Sequence, residues 1–229
     1  RRLAWKLYRL AEVFLAELGQ GPSLSEETYS GKFIVLEGIS GSGKDTQAEM
    51  LQKYLQEQGK EVVVINHPTE FLKDVWKLWR SEIDDRQSEL FLMLADRVRV
   101  VKNEIVPALQ AGKIVVSSRS QISAQVYQAS DWDSAFYRWC FAFEPVADTI
   151  IYLQITPKEA LRRADERMQQ GAEKDRGFFG QKQAKQLKRY EAVLQFYPNV
   201  VKVDGSGTPE EVQIRIRQVL SIKPIRQAQ

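Results

Sequence analysis

Of the 229 residues, one is cysteine and one is histidine. Cys140 alone can form no internal disulfide, which points to a reducing, cytoplasmic compartment. His67 alone excludes a histidine-rich metal site and any mechanism that needs two imidazoles. No apolar run approaches the ~20 residues that a membrane-spanning helix requires, so no membrane partner is expected. A dominant charge of one sign is also missing. The 33 Lys and Arg against 30 Asp and Glu leave +3, too small an excess to predict a nucleic-acid partner. Internal repeats and low-complexity tracts are absent as well. What remains is an ordinary globular balance, 28% charged and 43% hydrophobic, in a chain long enough for one α/β domain with an appendage.

The appendage is at the amino end. In "RRLAWKLYRLAEVFLAEL", Leu3, Leu7, Leu10, Phe14 and Leu18 recur at helical spacing while Lys6, Arg9 and Glu17 fall elsewhere on the wheel, so an amphipathic helix is expected. Charges interrupt it too often for a secretory signal. It would pack on the domain or on a partner subunit; a membrane-surface anchor and a mitochondrial targeting remnant are the other readings, and Glu12 and Glu17 count against both. Residues 1–30 are thus read as helix and linker, 31–222 as the domain, and 223–229 as a tail.

Within the domain, five apolar runs alternate with helical segments: "FIVLE" from 33, "EVVVIN" from 61, "KIVVSS" from 113, "TIIYLQI" from 149 and "NVVKVD" from 199. Buried strands separated by helices predict a five-stranded parallel sheet with helices on both faces, a three-layer α/β sandwich. The helices are expected at about 44–58, 71–79, 90–110, 120–143, 157–168, 181–196 and 209–220. Thr156-Pro157 and Thr208-Pro209 each place a cap residue before a proline at the first helical position. Ligands of such sheets bind at the carboxyl ends of the strands, where Gly38, Asn66, Ser118 and Asp204 fall.

The chemistry begins at "FIVLEGISGSGKDTQAEML", residues 33–51. A strand leads into Gly38, four residues later comes Gly43-Lys44, and a helix follows. This is a phosphate-binding loop: the backbone N–H groups of residues 39–46 would cradle the phosphates of a nucleoside triphosphate, with Gly38, Ser40, Gly41, Ser42, Gly43, Lys44, Asp45 and Thr46 forming the nucleotide site, and Lys44 would bridge the β- and γ-phosphates. One residue breaks the pattern. The position after Lys44 ordinarily carries the hydroxyl that reaches magnesium, and here it is Asp45.

After the third strand comes "SSRSQISAQVYQ", residues 117–128. Together with the loop it resembles the thymidylate kinase family, whose segment reads D-R-[YH]-x-x-S-x-x-A-Y-Q and whose loop reads F-E-G-x-D-G-x-G-K-T-T-Q. Arg119, Ser123, Tyr127 and Gln128 match, whereas Ser118, Ser120 and Val126 depart. The likeness continues through "LADRVRVVKNEIVPALQAGKIVV", "ADTIIYLQITPKEALRRADER", "KDRGFF" and "RYEAVLQFYPNVVKVDGS", covering nearly all of 32–220.

That resemblance implies an ATP-dependent nucleoside monophosphate kinase of the P-loop fold, acting on dTMP with magnesium as a homodimer. Arg119 would hold the acceptor phosphate, with Arg80 a further candidate. Arg97 would hydrogen-bond the base, and Met93 stands where the family stacks a Phe. Tyr127 would sit against the sugar and disfavour a 2′-hydroxyl, with Ser123 and Gln128 in the same acceptor site. Arg176, in the glycine-containing segment "RMQQGAEKDRGFFGQK", would supply the transition-state cation from a lid, with Arg167 its nearest substitute. Ser40 replaces the family's loop Asp near the acceptor 3′-hydroxyl. Asp45 and Ser118 exchange the hydroxyl and carboxylate of the family's metal neighbourhood, so both are read as magnesium ligands. Two other readings remain open at this point: a kinase for another deoxynucleoside monophosphate, and a catalytically silent nucleotide-binding module on the same fold.

Overall fold

The computed structural model describes residues 28–70, 72, 85–128, 143–169 and 181–222. The expected amino-terminal helix, the helix at 71–79, the carboxyl-terminal tail, Arg80 and Arg176 lie outside the described residues. The sheet has five parallel strands: β1 (Lys32–Glu37), β2 (Val62–Asn66), β3 (Ile114–Ser118), β4 (Thr149–Gln154) and β5 (Val200–Asp204), in the order β2-β3-β1-β4-β5. β1 lies at the centre, with Leu36 beside Ser118 of β3 and Glu37 beside Tyr152 of β4. The described helices are α1 (Lys44–Glu57), α2 (Arg86–Val100), α3 (Val106–Gln110), α4 (Gln121–Gln128), α5 (Pro157–Gln169), α6 (Gln181–Leu194) and α7 (Pro209–Ile222).

Alternation along the strands sorts the core into two layers. Phe33 and Val35 of β1, Val115 of β3 and Tyr152 of β4 pack with Ile105, Ile122, Val126, Tyr190 and Leu194 on one face. Ile34, Leu36, Val116 and Leu153 pack with Leu51 and Leu55 of α1 and Val212 and Ile216 of α7 on the other. The period of two also decides where the polar strand ends point. Glu37 and Ser117 continue the face of α4 and α6, and Ser118 continues the face of α1.

Two helix boundaries differ from the expected ones. The helix expected from 90 starts at Arg86, because Asp85 accepts the Ser88 backbone N–H at 2.9 Å and so caps a turn that apolar periodicity does not mark. The same helix is interrupted by a π turn, Val101–Ile105, just before Pro107. Proline has no N–H and its ring crowds the carbonyl four residues back, so a widened turn ahead of it relieves the mismatch. The helix after β3 is described as far as Gln128.

Candidate active site

The turn after β1 is built by glycine. Gly38 has φ 151°, and a Cβ there would stand 2.6 Å from Ser42 Oγ and 2.8 Å from the Leu153 carbonyl. Gly43 has φ 89°, opening α1 in a conformation that side chains resist. Gln47 N–H donates to the Gly43 carbonyl at 2.9 Å, so the N–H groups of Lys44, Asp45 and Thr46 precede the first intrahelical bond and lie at the positive end of the helix, the end that favours an anion. Lys44 is 3% exposed. Its ammonium donates to the Gly38 carbonyl at 2.7 Å, the Ile39 carbonyl at 2.9 Å and Ser42 Oγ at 3.3 Å, which holds the charge inside the ring of loop residues. The Ser40 carbonyl accepts Gln183 Nε2 at 3.2 Å, tying the loop to α6. On the outer side, Arg163 lies 3.9 Å from where a Gly43 Cβ would be and donates through Nε to Glu159 at 2.8 Å.

Asp45 and Ser118 meet. Ser118 is fully buried at the end of β3 and its hydroxyl donates to the Asp45 carboxylate, which is exposed at the first turn of α1. The two residues are 73 apart in the chain and converge because Ser118 points to the α1 face. A carboxylate and a hydroxyl side by side are hard oxygen donors that fit magnesium. Among the described residues no group of three or more His, Cys, Asp or Glu could hold a metal by itself, so such an ion would take most of its oxygens from nucleotide and water.

Arg119 stands next in the chain, with φ 83°, the one non-glycine residue of positive φ among those described. Its Nε donates to the His67 carbonyl at 2.8 Å, while its terminal nitrogens make no hydrogen bond to any described residue. Burial opposes its charge, but Tyr127, Asp45, Tyr190 and Glu37 around it outweigh burial and hold its pKa above the ordinary value. Such a half-fixed guanidinium presents its open edge to an oxyanion.

Arg97, on α2, is 3% exposed. It pairs bidentately with Glu144, Nε to Oε2 at 3.1 Å and Nη2 to Oε1, and Nη1 donates to Ser117 Oγ at 3.3 Å. Three of five N–H groups are thus used, and one remains on each terminal nitrogen. Met93 lies one turn earlier on α2, half-buried. Ser123 is buried in α4, and Tyr127 follows one turn later with its ring edge-on to Tyr190 at 6.3 Å between centroids. Gln128 closes α4.

His67, at the end of β2, faces Asp96 with Nδ1 3.4 Å from the carboxylate. Asp96 also accepts the backbone N–H and the hydroxyl of Thr69 at 3.0 and 2.6 Å. Burial, followed by the charges of Arg97, Arg119 and Arg99, holds the imidazole pKa well below its usual value, so His67 is neutral.

Sequence reasoning missed four residues. Glu144 and Glu37 are buried carboxylates, 5% and 0% exposed, that hold Arg97 and the turn at Arg119. Tyr190 and Gln183 of α6 reach the loop, Tyr190 through the Gly38 carbonyl at 3.0 Å. Glu37 alone left a visible signal, as a carboxylate ending an otherwise apolar central strand.

A glycine-built anion nest with its lysine at the centre of a parallel sheet, and an open guanidinium on the neighbouring strand end, define a P-loop phosphotransferase. The thymidylate kinase family profile matches residues 36–216, most of the chain, and the chain belongs to the thymidylate kinase family. It is 32% identical over 199 residues to the probable thymidylate kinase of Thermococcus gammatolerans, covering 80% of this chain and 92% of that protein. It is 31% identical over 206 residues to the thymidylate kinase of Glaesserella parasuis, covering 84% and 96%. Over a shorter stretch of 144 residues, 58% of this chain and 69% of the relative, identity to the probable thymidylate kinase of Pyrococcus horikoshii reaches 40%. No described helix is long and apolar enough to cross a membrane.

Proposed function

We propose that this chain transfers the γ-phosphoryl group of ATP to dTMP, giving dTDP and ADP. The observation that carries the reading is the pairing, at the carboxyl ends of adjacent strands, of the Lys44 nest with the open edge of Arg119. The loop N–H groups and Lys44 would hold the donor phosphates, and Arg119 the acceptor phosphate. An acceptor oxygen then attacks the γ-phosphorus in line as the bond to the ADP oxygen breaks. Charge on the transferring group is spread over its equatorial oxygens, so positioning and cations suffice and no covalent nucleophile is needed. Arg176 would add its charge from the lid.

Magnesium would lie against Asp45 and Ser118 and neutralise charge on the phosphate oxygens. Their hydrogen bond supports a rebuilt site, since each side chain is within reach of the same oxygen-ligated ion. The two N–H groups of the Arg97 guanidinium that Glu144 and Ser117 leave unused would donate to the base, and Tyr127 would pack against the deoxyribose. A homodimer is part of the reading: Phe91 is 37% exposed on α2, with half-buried Leu94 and Val98 at helical spacing beside it. Sedimentation of a monomer at micromolar concentration would exclude that part.

The test is ADP release with magnesium and ATP against all common nucleoside monophosphates and their deoxy forms. dTMP should give the highest kcat/KM. Equal activity with CMP, UMP or AMP would leave a kinase standing but not this acceptor.

A further inference from the structure

We infer that Glu37 is a positioning residue that acts through Arg119, holding the strained turn from which the acceptor arginine projects. The inference rests on the reading of Arg119 as the acceptor-phosphate ligand. A φ of 83° is unfavourable for arginine and persists only where the surroundings over-determine it. Here every polar backbone group about the residue is tied. Arg119 N–H donates to the Leu36 carbonyl at 3.0 Å, the Arg119 carbonyl accepts Ser117 Oγ at 2.7 Å, and the following N–H, of Ser120, donates to Glu37 Oε1 at 2.8 Å.

Glu37 does more than accept that one bond. Oε1 also takes the Ser120 hydroxyl at 2.8 Å and the Ser123 N–H at 3.2 Å, and Oε2 takes the Ser123 hydroxyl at 2.7 Å and the Tyr190 hydroxyl at 2.9 Å. The carboxylate therefore sits at the amino end of α4 and serves the donors that a helix leaves unpaired there. Five donors converging on one fully buried side chain suit an ion that only accepts. An amide of the same shape would turn an N–H toward one of them. The loss would reach Arg119 because its φ has no intrinsic preference to fall back on. ATP contacts are less exposed to the change, since the loop conformation is carried by glycines and by Lys44.

The experiment is a double-mutant cycle on the whole chain, reading the Kd of dTMP and of a non-hydrolysable ATP analogue by calorimetry or NMR titration. Wild type, Glu37→Gln, Arg119→Ala and the double variant are compared at matched thermal stability. Glu37→Gln should weaken dTMP binding ~10-fold, weaken the ATP analogue less than ~3-fold, and add less than ~2-fold once Arg119 is alanine, as coupled neighbours do. Equal weakening of both nucleotides would make Glu37 a structural support and overturn the inference. So would an undiminished effect in the Arg119→Ala background. Arg119→Ala leaving dTMP binding intact would instead overturn the reading of Arg119 itself. Should Glu37→Gln fail to fold, Ser120→Ala removes one partner of the carboxylate and enters the same cycle, with an expected ~3-fold effect on dTMP that likewise vanishes without Arg119.

Discussion

The proposed donor side and the proposed acceptor side of this site are built on different principles. The donor loop is local: Gly38, Gly43 and Lys44 lie within seven residues, and the Lys44 ammonium donates to Gly38, Ile39 and Ser42 of the same loop. The acceptor side is assembled at long range. Arg97 is held by Glu144, 47 positions away, and the turn at Arg119 by Glu37, 83 positions from Ser120. A nest made of backbone tolerates changes in the rest of the fold as long as its glycines remain. A guanidinium aimed by a buried carboxylate depends on two distant segments arriving together, so the acceptor half is where departures from the family pattern can alter specificity without dismantling phosphate binding.

The widest break in the comparison is Lys44→Ala. Removing the one cation of the nest should lower kcat/KM by roughly three orders of magnitude or more with any acceptor, since charge stabilisation of the transferring group is lost whichever base is bound. An assay with dTMP and a poorer acceptor in parallel checks it. A loss confined to dTMP would erase the distinction between the two halves.

Next in size is Glu144→Gln. The buried Arg97 would keep its charge and lose its counter-ion, which should destabilise the fold by about 3 kcal/mol and lower Tm by several degrees. Glu144→Leu with Arg97→Leu should recover most of the stability while leaving acceptor selection impaired. Recovery of both would show that Arg97 has no part in choosing the base.

The exchange of Asp45 and Ser118 sharpens the comparison at the seam between the halves, because one residue belongs to each. Asp45→Thr and Ser118→Asp should each weaken the magnesium dependence of nucleotide binding, and the double variant should restore it through a coupling of ~1 kcal/mol or more. Titration of magnesium against a bound ATP analogue measures this. Strictly additive losses would mean that the two side chains do not share an ion.

The smallest effect lies outside both halves, on α5. Hydrogen bonds from Arg162, and then from Arg163, hold the Glu159 carboxyl at a pKa of about 2. A depressed folded value means that the contribution is present at neutral pH, begins to fade below the ordinary carboxylate range near 4.5, and is gone below about 2. The groups are solvated, so Glu159→Gln should cost only about 0.5 kcal/mol at pH 7 and progressively less as the pH falls toward 2. Because Arg163 reaches over Gly43, a change in ATP affinity beyond ~2-fold would tie this surface cluster to the donor half.

How much of this was legible beforehand follows the same division. The strands, their parallel sense and the loop could be read from "FIVLEGISGSGKDT" and the apolar runs after it, since strand burial and glycine turns are written in neighbouring residues. The caps at Thr156 and Thr208 were legible for the same reason. The cap at Asp85 was not, because the residues after it carry no periodic apolar signal, and Pro107 sat inside a run that otherwise reads as one helix.

Arg97 and Arg119 were visible as residue types at motif spacing. Their partners were not. Glu144 and Glu37 look alike in the chain, one before a proline and one before a glycine, and nothing nearby says which arginine each will meet. By itself the sequence determined the α/β class, the position of the phosphate nest and the family likeness, all of which depend on short-range order. The tertiary structure alone decided that Ser118 meets Asp45, that Glu144 clamps Arg97 and that Glu37 braces the turn at Arg119. Those pairings follow from which face of the sheet each strand end presents and which helix covers it, and that is settled only when the layers pack.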